Sequence, residues 1–190
     1  IYIHIPFCAA KCPYCNFYSL PHAGSKWQEY ADTLCRVLET WRGKGIAAKT
    51  LYFGGGTPSL LPAEQLLQIK DTVCRVFGRP EEITLEANPG LCSLEKLKKL
   101  RQGGFNRISF GVQSLNEQEL KRLGRLHSPG QAEQAILQAA EAGFDNLSAD
   151  LMLAVPGQTE ASLSETLSRL TALPIAHVSS YLLKAEPGTP

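Results

Sequence analysis

Short runs of β-favouring residues take turns along the chain with longer stretches whose apolar residues recur at three- and four-residue steps, the pattern of βα units. Strands are predicted to begin near Ile1, Thr50, Ile83, Arg107, Asn146 and His177. Trp27, Tyr30, Ala31, Leu34, Val37, Leu38 and Trp41 form one apolar helix face, and Gly43 and Gly45 stop that helix. Pro62 sits where a first helical turn tolerates it, ahead of Leu66, Leu67, Ile69, Val73 and Phe77 and the stop at Gly78. Leu94, Leu97 and Leu100 mark a third helix, closed by Gly103 and Gly104. Asn116 with Glu119 predicts an N-cap, residues 129–142 an alanine-rich helix, and Thr159 the start of a last helix through Leu163, Leu167 and Leu170.

One stretch repeats. Gly104-Phe105-Asn106-Arg107-Ile108-Ser109 returns 39 residues later as Gly143-Phe144-Asp145-Asn146-Leu147-Ser148, a helix stop leading into a strand in both places. Strands joined by right-handed helical crossovers form a parallel sheet, so the fold class is α/β. A full eight-unit barrel takes about 250 residues. The 190 residues here fit an open partial TIM barrel of six βα units with a curved sheet, at least as well as a flat doubly wound sheet.

Composition narrows the function classes. With 44% hydrophobic and 19% charged residues the chain is of the ordinary globular kind, one domain over residues 1–190. Nineteen basic against eighteen acidic residues leave a net charge of +1, so no global field recruits nucleic acid or an acidic membrane. No apolar run approaches the ~20 residues of a membrane span, and no charged leader precedes Ile1, which points to a cytoplasmic protein. A start inside a strand and an end in a Gly/Pro turn at Pro190 lead us to expect further sequence at both ends.

Six cysteines in a chain this rich in Leu, Ile and Val are not a disulfide framework. Cys8, Cys12 and Cys15 cluster as CxxxCxxC just after the first strand, whereas Cys35, Cys74 and Cys92 are scattered and read as core thiols. Three thiolates on a short loop can ligate three irons of a [4Fe-4S] cluster and leave the fourth iron open. The spacing also fits a Cys₃His zinc site with His4 or His22 as fourth ligand. In a parallel β/α array function gathers at the C-terminal strand ends, and the other unusual residues fall there too. Gly54-Gly55-Gly56-Thr57-Pro58-Ser59 ends the second strand and can bring backbone N–H groups close to a ligand, or simply turn the chain. Glu86, Gln113 and Asp150 follow on later strands; Asp150 lies in a run so apolar that it needs a ligand or a structural partner such as Arg125 or Arg107.

At these residues the chain resembles a family. His4-Ile5-Pro6-Phe7-Cys8 through Cys15, Gly54 to Ser59, Gly111-Val112-Gln113-Ser114 and Pro156-Gly157-Gln158-Thr159 are similar to the radical S-adenosylmethionine proteins of the oxygen-independent coproporphyrinogen III oxidase group. The resemblance implies that Cys8, Cys12 and Cys15 bind a [4Fe-4S] cluster whose open iron chelates S-adenosylmethionine, which an electron then cleaves to a 5′-deoxyadenosyl radical. It implies cofactor contacts at Tyr2, Tyr14, Gly55, Gly56, Thr57, Glu86, Gln113, Arg125, Asp150 and Lys184. It also implies a further C-terminal domain.

One position divides that family. The coproporphyrinogen dehydrogenases carry another cysteine two residues after the third, where this chain has Phe17. Tyr14-Cys15-Asn16-Phe17-Tyr18-Ser19, and Lys184-Ala185-Glu186-Pro187-Gly188-Thr189, resemble instead the HemW type, heme chaperones that carry heme as cargo to apo-hemoproteins. The alternative is a radical enzyme, a coproporphyrinogen III dehydrogenase or a relative acting on another tetrapyrrole. Oligomeric state is left open, a homodimer included. Of the remaining residues, His4 is expected to make a supporting hydrogen bond near the cluster, His127 and His177 to sit at the surface or in caps, and Lys96, Lys98, Lys99 and Arg101 to form a solvated helix face.

Overall fold

The computed structural model describes residues 1–184. In chain order the strands are β1 (Tyr2–Ile5), β2 (Phe7–Cys8), β3 (Leu20–Pro21), β4 (Thr50–Gly55), β5 (Glu82–Ala87), β6 (Arg107–Gln113), β7 (Asn146–Leu153) and β8 (His177–Leu182). The helices are α1 (Trp27–Glu39), α2 (Ala63–Phe77), α3 (Leu94–Gln102), α4 (Glu117–Arg122), α5 (Pro129–Glu141) and α6 (Glu160–Thr171). Six strands form one sheet in the order β1-β4-β5-β6-β7-β8, with every pairing parallel. Strand order follows chain order without reversal. That excludes the doubly wound arrangement, whose order turns back at a switch point, and leaves the open partial barrel.

The alternation within each strand decides which side carries the core. Ile3, Ile5, Leu51, Phe53, Leu85, Ile108, Phe110, Leu147 and Ala149 are buried in one cluster with Leu66, Ile69, Val73, Leu97, Leu100 and Ile136 of the covering helices. The alternate positions, among them Tyr52, Glu86, Ser109, Gly111 and Asp150, are polar or small and face the other side. The barrel interior is therefore a place for a ligand, unlike a closed barrel filled with branched aliphatics.

The repeated segment occupies equivalent places in neighbouring units. Arg107, Ile108 and Ser109 of β6 lie in register beside Asn146, Leu147 and Ser148 of β7. Gly104 and Gly143 end α3 and α5 at φ of 102° and 94°, a conformation that favours glycine, and the phenylalanine after each turns into the core. Each such ring contributes roughly 2–3 kcal/mol of apolar burial. Side-chain caps at Asn116, Ser128 and Thr159 open α4, α5 and α6. Helix α1 stops at Glu39, so Trp41 lies beyond it and, with Val37, is exposed instead of completing the apolar face. No helix among the described residues is long and apolar enough to cross a membrane.

A cysteine-lined cavity at the C-terminal strand ends

The chain leaves β1 through Pro6 into β2, which pairs with β3 and so closes the loop of residues 9–19 on itself. Within it Cys15 N donates to Cys12 O at 3.1 Å. Cys8, Cys12 and Cys15 line a cavity of about 370 Å³ at the C-terminal ends of β4 to β8. Tyr14, Gly55, Gly56, Thr57, Glu86, Gln113, Arg125, Asp150 and Lys184 line the same cavity. Tyr2 does not: its ring is 57% exposed, stacks on Tyr52 at 6.0 Å, and gives its hydroxyl to His4 Nδ1 at 3.2 Å.

Both ring nitrogens of His4 are thereby occupied. Nε2 lies 3.1 Å from Tyr18 O, which can only accept, so Nε2 donates and Nδ1 accepts from Tyr2. His4 thus anchors the segment just past Cys15, with both ring nitrogens engaged. His22 is exposed, and among the described residues no three His, Cys, Asp or Glu side chains converge on a single-ion site. This arrangement disfavours a lone zinc. A cluster, which spreads its thiolates over different irons, makes no such demand.

The glycine run has a different use from the one expected. Gly56 N donates to Ile5 O at 2.8 Å, Thr57 N to Phe7 O at 2.7 Å and Gly55 N to a Glu86 carboxylate oxygen at 3.2 Å, so these groups are spent inside the protein. What the glycines provide is approach. A Cβ on Gly55, at φ 118°, would meet the His4 ring at 2.7 Å, and one on Gly56 would meet Phe7 O at 2.7 Å and Cys8 Sγ at 3.0 Å.

Two carboxylates face the cavity. Glu86 accepts from Tyr52 Oη at 2.8 Å, and burial raises its pKa above the ordinary carboxyl value. Asp150 accepts from Ser109 Oγ at 3.2 Å and from Ser179, and burial raises its pKa as well. Of the two arginines expected as partners, Arg107 lies close enough for its charge to oppose that rise, whereas Arg125 turns elsewhere. The guanidinium instead reaches Cys12 Sγ at 3.6 Å through Nη1, and Asn88 Oδ1 at 2.6 Å and Gly111 O at 2.8 Å through Nη2. Burial pushes the Tyr14 phenol up to about 12. Gln113, at φ 67° beside an irregularity in the β6–β7 register, and Arg125 each keep one buried polar atom, Oε1 and Nε, without a hydrogen-bond partner.

Two expectations fail nearby. His127 is buried against Val112 O at 3.1 Å because the turn before α5 folds back over β6. Lys96 bridges Ser59 O and Leu61 O, both at 2.6 Å, and leaves the solvated face to its neighbours. Asn88, Ser109 and Tyr181 line the cavity without a role expected of them, although the two-residue steps from Glu86 to Asn88 and from Gln113 through Gly111 to Ser109 mark inward positions.

A family model described as the radical SAM superfamily matches residues 2–170. The chain belongs to that superfamily. Among curated proteins, this radical SAM chain is 39% identical over 193 residues to the heme chaperone HemW of Bacillus subtilis (strain 168), covering 99% of this chain and 51% of that protein. It is 38% identical over 199 residues to the heme chaperone HemW of Escherichia coli (strain K12), covering 100% of this chain and 51% of the relative. Among solved structures, the radical SAM enzyme coproporphyrinogen III oxidase (HemN) from Escherichia coli has a TM-score of 0.88 at 28% identity over 98% of this chain and 44% of that one. Methylornithine synthase (PylB), with a TM-score of 0.69 at 18% identity over 100% of this chain and 54% of that one, shares the fold. The chain spans about half the length of the curated relatives it matches.

Membership implies a [4Fe-4S] cluster and S-adenosylmethionine, and the cavity has features that fit both. Its donor set is three thiols on one loop, and the orphaned Gln113 Oε1 and Arg125 Nε are buried polar atoms of the kind a bound ligand satisfies.

Proposed function

We propose that this chain is the half of a heme chaperone that holds a [4Fe-4S] cluster on Cys8, Cys12 and Cys15 and S-adenosylmethionine beside it. Gln113, Arg125, Glu86 and Asp150 would hold the cofactor, with Tyr14, Gly55, Gly56, Thr57 and Lys184 completing the walls. The physical case rests on charge: two desolvated carboxylates that do not pair with Arg125 suit a ligand carrying an ammonium and a sulfonium. The cluster and S-adenosylmethionine would together supply, when bound, one-electron reductive cleavage of the sulfonium. The chain's own part is to bind and orient. Tyr52 and Gly55 N fix the Glu86 carboxylate, and Ser109 fixes that of Asp150.

Phe17 carries the choice between chaperone and dehydrogenase. It stands 65% exposed at the cavity rim, where the coproporphyrinogen dehydrogenases have a further cysteine. The named relatives at 38% and 39% identity favour the same branch. In this reading heme is cargo, apo-hemoproteins are the recipients, the setting is cytoplasmic, and a further C-terminal domain accounts for the length the relatives have beyond this chain.

The test uses full-length protein reconstituted without oxygen to about four irons per chain, as the cluster requires. Added heme is expected to bind and to pass to an apo-hemoprotein. Coproporphyrinogen III with S-adenosylmethionine and a reductant is expected to yield no decarboxylated product. Catalytic decarboxylation would make the protein a dehydrogenase, and a colourless protein with one zinc per chain would remove the cluster altogether.

A further inference from the structure

Asn88, at the end of β5, stands between two side chains that reach the cysteine loop. Its Oδ1 accepts from Arg125 Nη2 at 2.6 Å, and its Nδ2 donates to Thr57 Oγ1 at 3.1 Å. The amide has only this orientation, since a guanidinium has no acceptor and the carbonyl oxygen must face it. The consequence passes to the next atoms. Thr57 Oγ1 accepts a hydrogen bond from Asn88, which leaves its own hydroxyl proton free to point at Cys8 Sγ, 3.6 Å away. On the other side, Arg125, held by Asn88 Oδ1 and Gly111 O, turns Nη1 to Cys12 Sγ at 3.6 Å. The third sulfur, Cys15 Sγ, accepts from the backbone N–H of Phe17.

We infer that Asn88 is a positioning residue that aims the Thr57 hydroxyl at Cys8 and the Arg125 guanidinium at Cys12, and that these bonds set the midpoint potential of the cluster. The inference rests on the cluster assignment above. Reduction adds negative charge that spreads onto the thiolates, so a donor at each sulfur stabilises the reduced form more than the oxidised one and raises the potential. Thr57 and Asn88 are neutral, so their effect comes through hydrogen bonds and not through a change of net charge. Gly111 leaves the room this relay needs, since a Cβ there would lie 3.0 Å from Asn88 Oδ1 and 3.3 Å from Arg125 Nη2.

The experiment is a potentiometric titration of the reconstituted full-length protein without S-adenosylmethionine, followed by electron paramagnetic resonance. Thr57→Val, which keeps the shape and removes the hydroxyl, is expected to move the midpoint to more negative potential. Thr57→Ser, which keeps the hydroxyl, should stay at the wild-type value, and Asn88→Ala should shift in the same direction as Thr57→Val. An unchanged midpoint in Thr57→Val with about four irons per chain, or an equal shift in Thr57→Ser, would overturn the relay while leaving the cluster in place. If Thr57→Val fails to hold iron, Arg125→Lys, which keeps the charge and shortens the reach to Cys12, decides by the same sign of shift. A wild-type protein that assembles no cluster would overturn the functional reading itself.

Discussion

His127, 7% exposed, gives its ring to Val112 O at 3.1 Å, and desolvation together with the nearby Arg125 charge lowers its pKa from 6.5 to about 4. A histidine whose pKa is lower folded than unfolded resists protonation in the native state, so its contribution is complete above about 6.5 and is lost as pH falls towards 4. That gap corresponds to about 3 kcal/mol. Urea unfolding at pH 7 and pH 4 should show wild type losing more stability than His127→Gln by roughly this amount, and equal losses would contradict the burial. Iron content gives a second residue-level prediction: Cys8→Ala, Cys12→Ala and Cys15→Ala should each fail to hold a cluster, whereas Cys35→Ala, whose thiol lies against Gln68 O, should keep the wild-type iron count. That Cys8, Cys12 and Cys15 would share one cavity was legible because spacing within one loop is a property of the sequence itself. His127 and Asn88 were not, because their roles depend on Val112, Thr57 and Arg125, which only the folded barrel brings to them.

Several elements meet at Glu119 of α4, a buried carboxylate that accepts from Ser114 Oγ after β6 at 2.7 Å, from Gln158 Nε2 at 3.0 Å and from Ser162 Oγ in the first turn of α6 at 2.6 Å. Glu119→Ala would strand these donors, and a loss of about 3 kcal/mol in denaturant unfolding is expected; a loss within measurement error would contradict the hub. Gly56→Ala makes a sharper cut. Its Cβ would press on Phe7 O and Cys8 Sγ, so iron content should fall while far-ultraviolet circular dichroism stays close to wild type. Full iron retention would show that β2 can give way. Helical periodicity made α1, α2, α3 and α6 readable, the cap at Asn116 and the alanine content of residues 129–142 pointed to α4 and α5, and the repeat at Phe105 and Phe144 marked two of the strand starts. The β2–β3 pair was invisible because two residues per strand carry no pattern, and the left-handed turn at Gln113 was hidden by a side chain that ordinarily avoids it.

At the scale of the whole molecule, a sheet that runs β1-β4-β5-β6-β7-β8 without reversal brings every C-terminal strand end to one rim. The sign of the alternation, apolar under the helices and polar inside, then turns that rim and the interior beneath it into one cavity. This much could be read from βα periodicity and from the placement of Glu86 and Gln113 at strand ends and of Asp150 within an apolar strand. The internal use of the glycine N–H groups could not, because both a ligand and a neighbouring strand accept such bonds. Whether the cavity holds a cluster beside S-adenosylmethionine is decided by electron paramagnetic resonance of the reduced, iron-loaded full-length protein with and without that cofactor. The reduced protein is expected to give the signal of a [4Fe-4S] cluster, and that signal is expected to change when S-adenosylmethionine is added. A signal identical in both samples, or none from protein that carries iron, would contradict that arrangement.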